Sequence, residues 1–444
     1  MWRAIRNTYL PNRFFLLFGG VIVLFALGFP FPAFYYVGLA SLLVALGLVL
    51  ADTGLLFGRR VSLDAKRQLP KVLSLGDPNP IVLDIHNRSP HYLHLTLIDE
   101  LPLEFQIRDF SRTLRIAPES WKKVTYELTP TRRGAYKFGA IHIFISSPLG
   151  LVQRRVSISQ ETTIPVYPSI IQVKKYSLKS FQKVTTLQGV KKMRRIGHSY
   201  EFEQIKEYVR GDDYRSINWK ATSRRAGLMV NQYEDERAQQ VYCLIDKSRV
   251  MRLPFHGLSL MDYAINTSLV MSNIVLQKHD KAGLLTFSDK IGSILKADRK
   301  GDQMHKILMA LYNEKERHGE ANYELVYQAV RRLIKGRSLL LLFTNFESSF
   351  ALERVLPVLR RINLQHLLVV IFFENTEIRD FAYQEVSDLE SIYTQTMAQK
   401  FVAEKMQQVQ KLRQYGIQAI LTRPEELSVN TINKYLELKA RGLI

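Results

Sequence analysis

The chain has one cysteine, Cys243. A lone thiol excludes an internal disulfide framework and a Cys-rich zinc site, and it suits a reducing compartment. A Ser/His/Asp order, a His-rich ligand motif and a Gly-rich phosphate-cradling loop are all missing, so the usual signatures of nucleophilic, zinc and nucleotide chemistry do not apply. Acid is scarce as well. Lys+Arg 62 against Asp+Glu 41 leaves a net charge of +21, which points to an anionic partner, either nucleic acid or the anionic face of a membrane. The sequence has no zinc finger or base-stacking motif and spreads its basic surplus over loops and helix faces, so no nucleic acid is expected. Apolar residues, in contrast, make up 46% of the chain and aromatics 11%, which excludes a mainly disordered or low-complexity protein. Its 444 residues exceed one ordinary domain of roughly 100 to 200.

Charge is absent altogether between Arg13 and Asp52, a run long enough for two membrane spans of about 20 residues each. Pro30 and Pro32 divide it into expected helices at 14–29 and 34–51, with Phe31, Tyr35 and Tyr36 suited to an interfacial aromatic belt. A signal peptide is the competing reading, because Arg3 and Arg6 precede the apolar run, but the run continues far past any small-residue cleavage site. Arg3, Arg6 and Arg13 stand before the hairpin and Arg59, Arg60, Lys66 and Arg67 after it, with no charge in the turn. The positive-inside rule then makes this a multi-pass protein with both ends, and hence its soluble part, in the cytoplasm.

The expected domains are a transmembrane hairpin at 1–60, a β-sandwich at 61–170, a basic connector and signature segment at 171–238, and an α/β domain at 239–444. The sandwich follows from short alternating strands separated by turn signals, in the manner of an all-β immunoglobulin-like fold without its disulfide. His91 and His94 do not make a metal pair, since residues three apart on a strand point to opposite faces. The stretch 171–195 holds Lys174, Lys175, Lys179, Lys183, Lys191, Lys192, Arg194 and Arg195 and no acid. It reads equally as a solvated linker and as a contact with anionic lipid head groups. Beyond residue 239, continuous apolar strands alternate with amphipathic helices, the pattern of a mainly parallel sheet covered on both faces.

On such sheets, ligands bind at the carboxyl ends of the strands. The first strand ends in Asp246-Lys-Ser248 and a later one in Thr344-Asn345, the arrangement by which a von Willebrand factor A fold holds Mg²⁺ in a shell of hard oxygens. The usual pattern is Asp-x-Ser-x-Ser, a threonine on a later loop, and a further aspartate. Here Val250 replaces the second serine, Asn345 the later aspartate, and Asn322 the loop threonine. The candidate metal set of Asp246, Ser248 and Thr344 is therefore depleted. The alternative is that Asp246 and Ser248 cap or anchor the following segment by hydrogen bonds.

Upstream lies the most informative stretch, 201–230. It is expected to form a short helix at 202–209 ending at Gly211, then a turn with Asp212 and Asp213 beside Arg215, Trp219, Arg224 and Arg225. Either Arg215 and Arg224 pair with these carboxylates around a loop packed by Trp219, or the carboxylates hold a metal for hydrolysis. The pattern of Glu201, Phe202, Lys206, Tyr208, Gly211, Asp212, Asp213, Arg215, Ile217, Trp219, Ala221, Thr222, Arg224, Leu228, Val230, Glu234 and Glu236 resembles the signature of the family called domain of unknown function 58. Arg133 to Gly139 and Ser147 to Leu151 resemble an upstream segment of the same family. The resemblance implies a membrane hairpin, a sandwich and a von Willebrand factor A-like domain in that order, in a bacterial inner-membrane protein. It also implies work with a MoxR-type hexameric ATPase in maturing or assembling other proteins, without an established enzymatic activity. The expected function is thus a membrane-tethered, non-enzymatic interaction module contacting the lipid bilayer and a cytoplasmic ATPase. A metal-dependent hydrolase using Asp212, Asp213 and Asp246 is the alternative, and a nucleic-acid-binding membrane protein the third reading.

Overall fold

The computed structural model describes residues 7–58, 61–169, 201–210, 212, 214–225, 227–234, 238–384 and 388–444. Arg3, Arg6, Arg59, Arg60 and the basic connector lie outside them. The chain divides into two compact units, Met1–Tyr167 and Pro168–Ile444.

The first unit opens with a two-residue strand β1 (Thr8–Tyr9), followed by α1 (Asn12–Leu27) and α2 (Pro32–Phe57), which pack against each other. Pro32 starts α2 because its fixed φ and missing N–H suit the first helical turn. Gly28 closes the turn where a Cβ would come within 2.9 Å of the Tyr35 nitrogen. Both helices run past the expected bounds at the ends nearer the strands, and α2 reaches Phe57 rather than residue 51. At 26 residues it is long and apolar enough to cross a membrane, whereas α1, at 16 residues, is shorter. α2 extends because Asp52 does not end it in water. Asp52 is fully buried, and its Oδ2 accepts N–H bonds from Leu151 and Val152, each at 2.9 Å. One turn later the Leu56 carbonyl accepts from Arg154 Nη1 at 2.9 Å, and the same guanidinium lies over the Phe57 ring.

Ten further strands complete the unit: β2 (Leu63–Gln68), β3 (Leu73–Ser74), β4 (Asn79–Asn87), β5 (Leu93–Asp99), β6 (Ser111–Ile116), β7 (Trp121–Leu128), β8 (Gly134–Phe138), β9 (Ile141–Ser146), β10 (Gln153–Ile158) and β11 (Thr162–Tyr167). They form sheets in the orders β1-β10-β9-β5-β6, β2-β4-β7 and β3-β11-β8. Strict alternation in β5 and β9 buries Leu95, Leu97, Ile143 and Ile145. One charge pair enters this core. Arg67 meets Asp99 with both side chains buried, and Tyr126 donates to the same carboxylate. Arg67 Nη2 also donates to the Gly139 carbonyl at 3.0 Å, so the pair is hydrogen-bonded on several sides, as burial of ions requires.

Among the described residues, the first elements of the second unit form a two-stranded antiparallel ribbon, β12 (Glu201–Glu207) and β13 (Met229–Glu234), whose crown includes the one-turn helix α3 (Trp219–Thr222). The helix expected at 202–209 is therefore a strand. Its apolar positions suited a helical face, but the partner β13 lies more than 20 residues on, and cross-strand bonding decides the conformation.

After the ribbon in the chain comes an α/β sheet. Its elements run β14 (Gln240–Asp246), a small hairpin of β15 (Pro254–Phe255) and β16 (Leu258–Ser259), α4 (Leu260–Gln277), β17 (Lys281–Phe287), β18 (Ile291–Asp298), α5 (Gln303–Asn313), α6 (Tyr323–Leu333), β19 (Leu339–Phe343), α7 (Ser349–Gln365), β20 (Leu367–Phe373), α8 (Thr376–Ala382), α9 (Leu389–Gln414), β21 (Gln418–Thr422) and α10 (Leu427–Ala440). The sheet order is β18-β17-β14-β19-β20-β21, parallel throughout except for the edge strand β18. Residues of α4, α5 and α10 pack on one face, and residues of α6, α7 and α9 on the other. β18, β21 and α10 were not anticipated. β18 is an edge strand with alternate residues exposed, and β21 holds only three apolar residues between Gln418 and Thr422, so neither shows the continuous apolar run that marks the inner strands.

Asp52→Ala leaves two N–H groups without their acceptor. It is expected to lower the stability of the purified chain in detergent by about 2 to 4 kcal/mol, with Asp52→Asn losing less. Thermal unfolding showing no loss in the alanine variant would remove the clamp from the account of this unit.

Candidate functional site

The carboxyl ends of β14 and β19 bring Asp246 and Thr344 together, as the sequence spacing suggested. Asp246 is fully buried. Its Oδ1 accepts the Ser248 N–H at 2.9 Å, which turns the chain out of β14, and its Oδ2 accepts the Thr344 hydroxyl at 2.7 Å. The third member was missed. Tyr323, at the start of α6, sets its hydroxyl 2.7 Å from Thr344 Oγ1 and 3.5 Å from Asp246 Oδ2. The loop position weighed in the sequence, Asn322, instead caps α6 by accepting the Leu325 N–H. Burial pushes the Asp246 carboxyl upward, against the hydrogen bonds from Ser248, Thr344 and Tyr323 that favour its charged form. Burial and the neighbouring Asp246 charge likewise push the Tyr323 phenol well above its usual value.

Asp246, Thr344 and Tyr323 satisfy one another, while the Ser248 hydroxyl is buried without a hydrogen-bond partner among the described residues. The set supplies a single carboxylate, which does not fit the six hard oxygens that Mg²⁺ takes. Among the described residues, no cluster of three His, Cys, Asp or Glu side chains could hold a metal ion. Asn345, at the later aspartate position, faces a cation instead. Its Oδ1 accepts from Lys405 of α9 at 3.1 Å, and the same ammonium donates to the Phe346 carbonyl. Lys405 is buried, and desolvation takes its pKa down to about 8 even though Glu404 and Glu347 oppose the fall.

Between Asp246 and Ser248 stands Lys247, also buried. It pairs with Glu314 at 2.5 Å, and Glu314 further accepts the Thr286 hydroxyl at 2.7 Å and the Ser293 N–H at 3.2 Å. Burial alone would raise the Glu314 carboxyl. The hydrogen bonds from Lys247, Ser293 and Thr286 outweigh it and hold the group below its ordinary range. Lys247 was not foreseen, since a lysine after a strand is ordinarily solvated.

Around this buried centre runs a rim of exposed ion pairs. Arg249 meets Glu347 at 3.0 Å and Glu320 at 3.7 Å, Arg354 meets Glu320 at 2.9 Å, Arg252 meets Glu316 at 3.3 Å, and Arg317 meets Asp289 at 3.4 Å. A shallow depression of about 410 Å³ opens beside Tyr323, between Asp289, Glu320 and Arg354.

The signature segment has a different geometry from the one expected. Gly211, Asp213, Glu236 and the side chains of Glu201, Phe202 and Glu234 lie outside the described residues. Asp212 bonds Lys206 Nζ at 2.8 Å and the Val209 N–H at 3.0 Å, so its cation comes from β12 rather than from Arg215 or Arg224. Trp219 does not pack the loop. It is 70% exposed, as is much of Tyr214, over whose ring the Arg215 guanidinium lies. Other residues carry the packing. Asn218 caps α3 through the Ala221 N–H and bonds Asn231, while the Thr222 hydroxyl accepts the Met229 N–H at 3.0 Å. The Tyr208 N–H donates to the Leu228 carbonyl at 2.8 Å and closes the base of the crown.

The chain thus has a long apolar helix, a β-rich unit and a later α/β region preceded in sequence by the signature ribbon. Residues 204–410 match the family described as "Protein of unknown function DUF58", so the resemblance read from 201–236 is shown for that stretch. The chain is 25% identical over 193 residues to the "Uncharacterized protein YeaD" of Bacillus subtilis (strain 168), a match that takes in 42% of this chain. It spans 48%, about half, of that relative's length. Among solved structures, it is similar to the CARDB domain of the PF1109 protein from Pyrococcus furiosus, at 14% identity over 24% of this chain and 90% of that one, with a TM-score of 0.19. It is also similar to the ASH/PapD-like domain of human CEP192, at 9% identity over 24% of this chain and 86% of that one, with a TM-score of 0.18. Likenesses this slight do not bear on function.

Lys247→Met would strand a buried carboxylate and is expected to cost about 3 to 5 kcal/mol, most of it restored in Lys247→Met/Glu314→Leu; urea unfolding of the three proteins checks this. Lys405 gives a pH signature. The unfolded chain keeps that proton to higher pH than the folded one, so folding gains stability as pH rises from about 8 toward about 10.4. The difference in urea midpoint between the native chain and Lys405→Met should shift in the native chain's favour across that window. A difference that stays flat with pH contradicts the assignment.

Proposed function

We propose that this is a membrane-anchored, non-enzymatic interaction and assembly protein. In this reading α1 and α2 are an uncleaved transmembrane hairpin in a bacterial inner membrane. The strands that follow are an immunoglobulin-like sandwich, and the cytoplasmic α/β unit is a von Willebrand factor A-like domain that receives a MoxR-type ATPase. The observation that carries it is the character of the strand-end surface. Its centre is closed by Asp246, Thr344 and Tyr323, which satisfy one another, while its rim consists of exposed Arg/Glu pairs. Such pairs contribute little to stability, so they can exchange partners with an incoming charged surface at low cost and still direct which surface docks. The mainly parallel six-stranded sheet and its strand-end aspartate support the A-type assignment, and the 26-residue apolar helix supports the anchor.

Crosslinking in native membranes, followed by recovery in mild detergent, tests this. The native chain should bring down a hexameric ATPase of the MoxR type, and Arg249→Glu/Arg354→Glu should reduce the yield about tenfold without changing its unfolding. Recovery of no ATPase, or equal recovery by the charge-reversed chain, would sink the proposal.

A further inference from the structure

The crown of the β12–β13 ribbon, in the described residues of 208–228, gathers exposed aromatic and basic side chains. Trp219 is 70% exposed, Tyr214 68% and Val209 63%. Exposed beside them in the sequence are Arg210, Arg215, Lys220, Arg224 and Arg225. Against these five cations the stretch has two carboxylates, Asp212 and Asp213. Asp212 is held by Lys206, and Arg215 is already engaged, its guanidinium over the Tyr214 ring.

The display is built rather than incidental. Asn218 and Thr222 are tied to β13, through the Met229 carbonyl at 2.8 Å and the Met229 N–H at 3.0 Å, and Asn218 also caps the one-turn helix between them. Trp219 and Lys220 follow that cap directly and are left in solvent. Large aromatics exposed together with arginines and lysines are unusual on a monomer surface and mark a contact site. The same mixture suits one environment in particular. Tryptophan and tyrosine settle at the head-group level of a bilayer, and basic side chains around them reach lipid phosphates.

We propose that this crown is a membrane-contact site that seats the α/β unit on an anionic bilayer. Trp219, Tyr214 and Val209 enter the head-group layer, and Arg210, Lys220, Arg224 and Arg225 lie over phosphates. The inference rests on the membrane-anchor reading for the tether but not on the ATPase partner. A protein partner is the competing occupant. It is disfavoured because a docking surface for protein gathers its aromatics over a desolvated, charge-poor centre, whereas here cations flank every aromatic in the stretch.

The experiment uses the full chain carrying Trp2→Phe and Trp121→Phe, which leaves Trp219 as its one indole. The chain is reconstituted into nanodiscs of phosphatidylcholine alone or with phosphatidylglycerol, each with and without a lipid quencher near the head group. In the anionic discs, Trp219 emission should move to the blue and be quenched about twofold by the lipid quencher, as an interfacial indole is. Both effects should fade in zwitterionic discs, in high salt and in Lys220→Glu/Arg224→Glu, whose circular dichroism melt should match the parent. Trp219 that stays open to aqueous acrylamide and untouched by the lipid quencher in every disc overturns the proposal. So does protection that arises only when cytosolic protein is added, or quenching that survives the charge reversal. Whether the chain co-elutes with the discs at all reports on the anchor separately.

Discussion

Two charges bound the long apolar run, and the rest of the first unit depends on where they go. Asp52 is buried against the turn at 147–152 and accepts its Leu151 and Val152 N–H groups. Arg13 lies against Gly150 of the same turn, where φ is +68° and a Cβ would stand 3.1 Å from its guanidinium. The Ser147-Pro-Leu-Gly-Leu151 segment thus grips the charged ends of both helices. A carboxylate taken out of water must be met by donors; here the Leu151 and Val152 N–H groups both meet Oδ2, while Oδ1 is buried without a hydrogen-bond partner among the described residues. That one exchange couples α2 to β10, and it makes the apolar helices and the β-strands one compact unit rather than two tethered pieces.

The second unit handles buried charge in the same way and with similar consequences. Asp246, Lys247 and Lys405 all stand where an α/β sheet usually presents chemistry, and each is turned inward. Asp246 is consumed by Ser248, Thr344 and Tyr323, Lys247 by Glu314, and Lys405 by Asn345 and Phe346. Reactive groups become struts, and the surface that remains is the ring of Arg/Glu pairs above them.

The inner strands were legible because continuous apolar runs such as Leu339 to Phe343 and Leu367 to Phe373 have no stable place except inside a sheet, and the helix at Leu389–Gln414 was legible from its length and period. The ribbon was not. The segment 202–209 has apolar residues at a helical interval, and only the pairing of Ile205 with Asn231 and Glu207 with Met229 makes it a strand. Within the site, Asp246 and Thr344 could be named because strand ends are predictable. Tyr323 and Lys405 could not, since they reach the site from helices about 80 and 160 residues further along the chain.

The amino-acid sequence by itself determined the order of parts, the apolar run bounded by Arg13 and Asp52, the α/β alternation and the family signature, all of which depend on local composition and periodicity. Tertiary structure alone decided that Asp52 clamps a turn, that Tyr323 closes the strand-end site, that Lys206 rather than an arginine holds Asp212, and that Trp219 faces solvent. The physical reason is the same in each case. Periodicity records which residues must leave water, but the partner that satisfies a buried charge, or the absence of neighbours that leaves an indole exposed, depends on elements that meet only after the chain has folded.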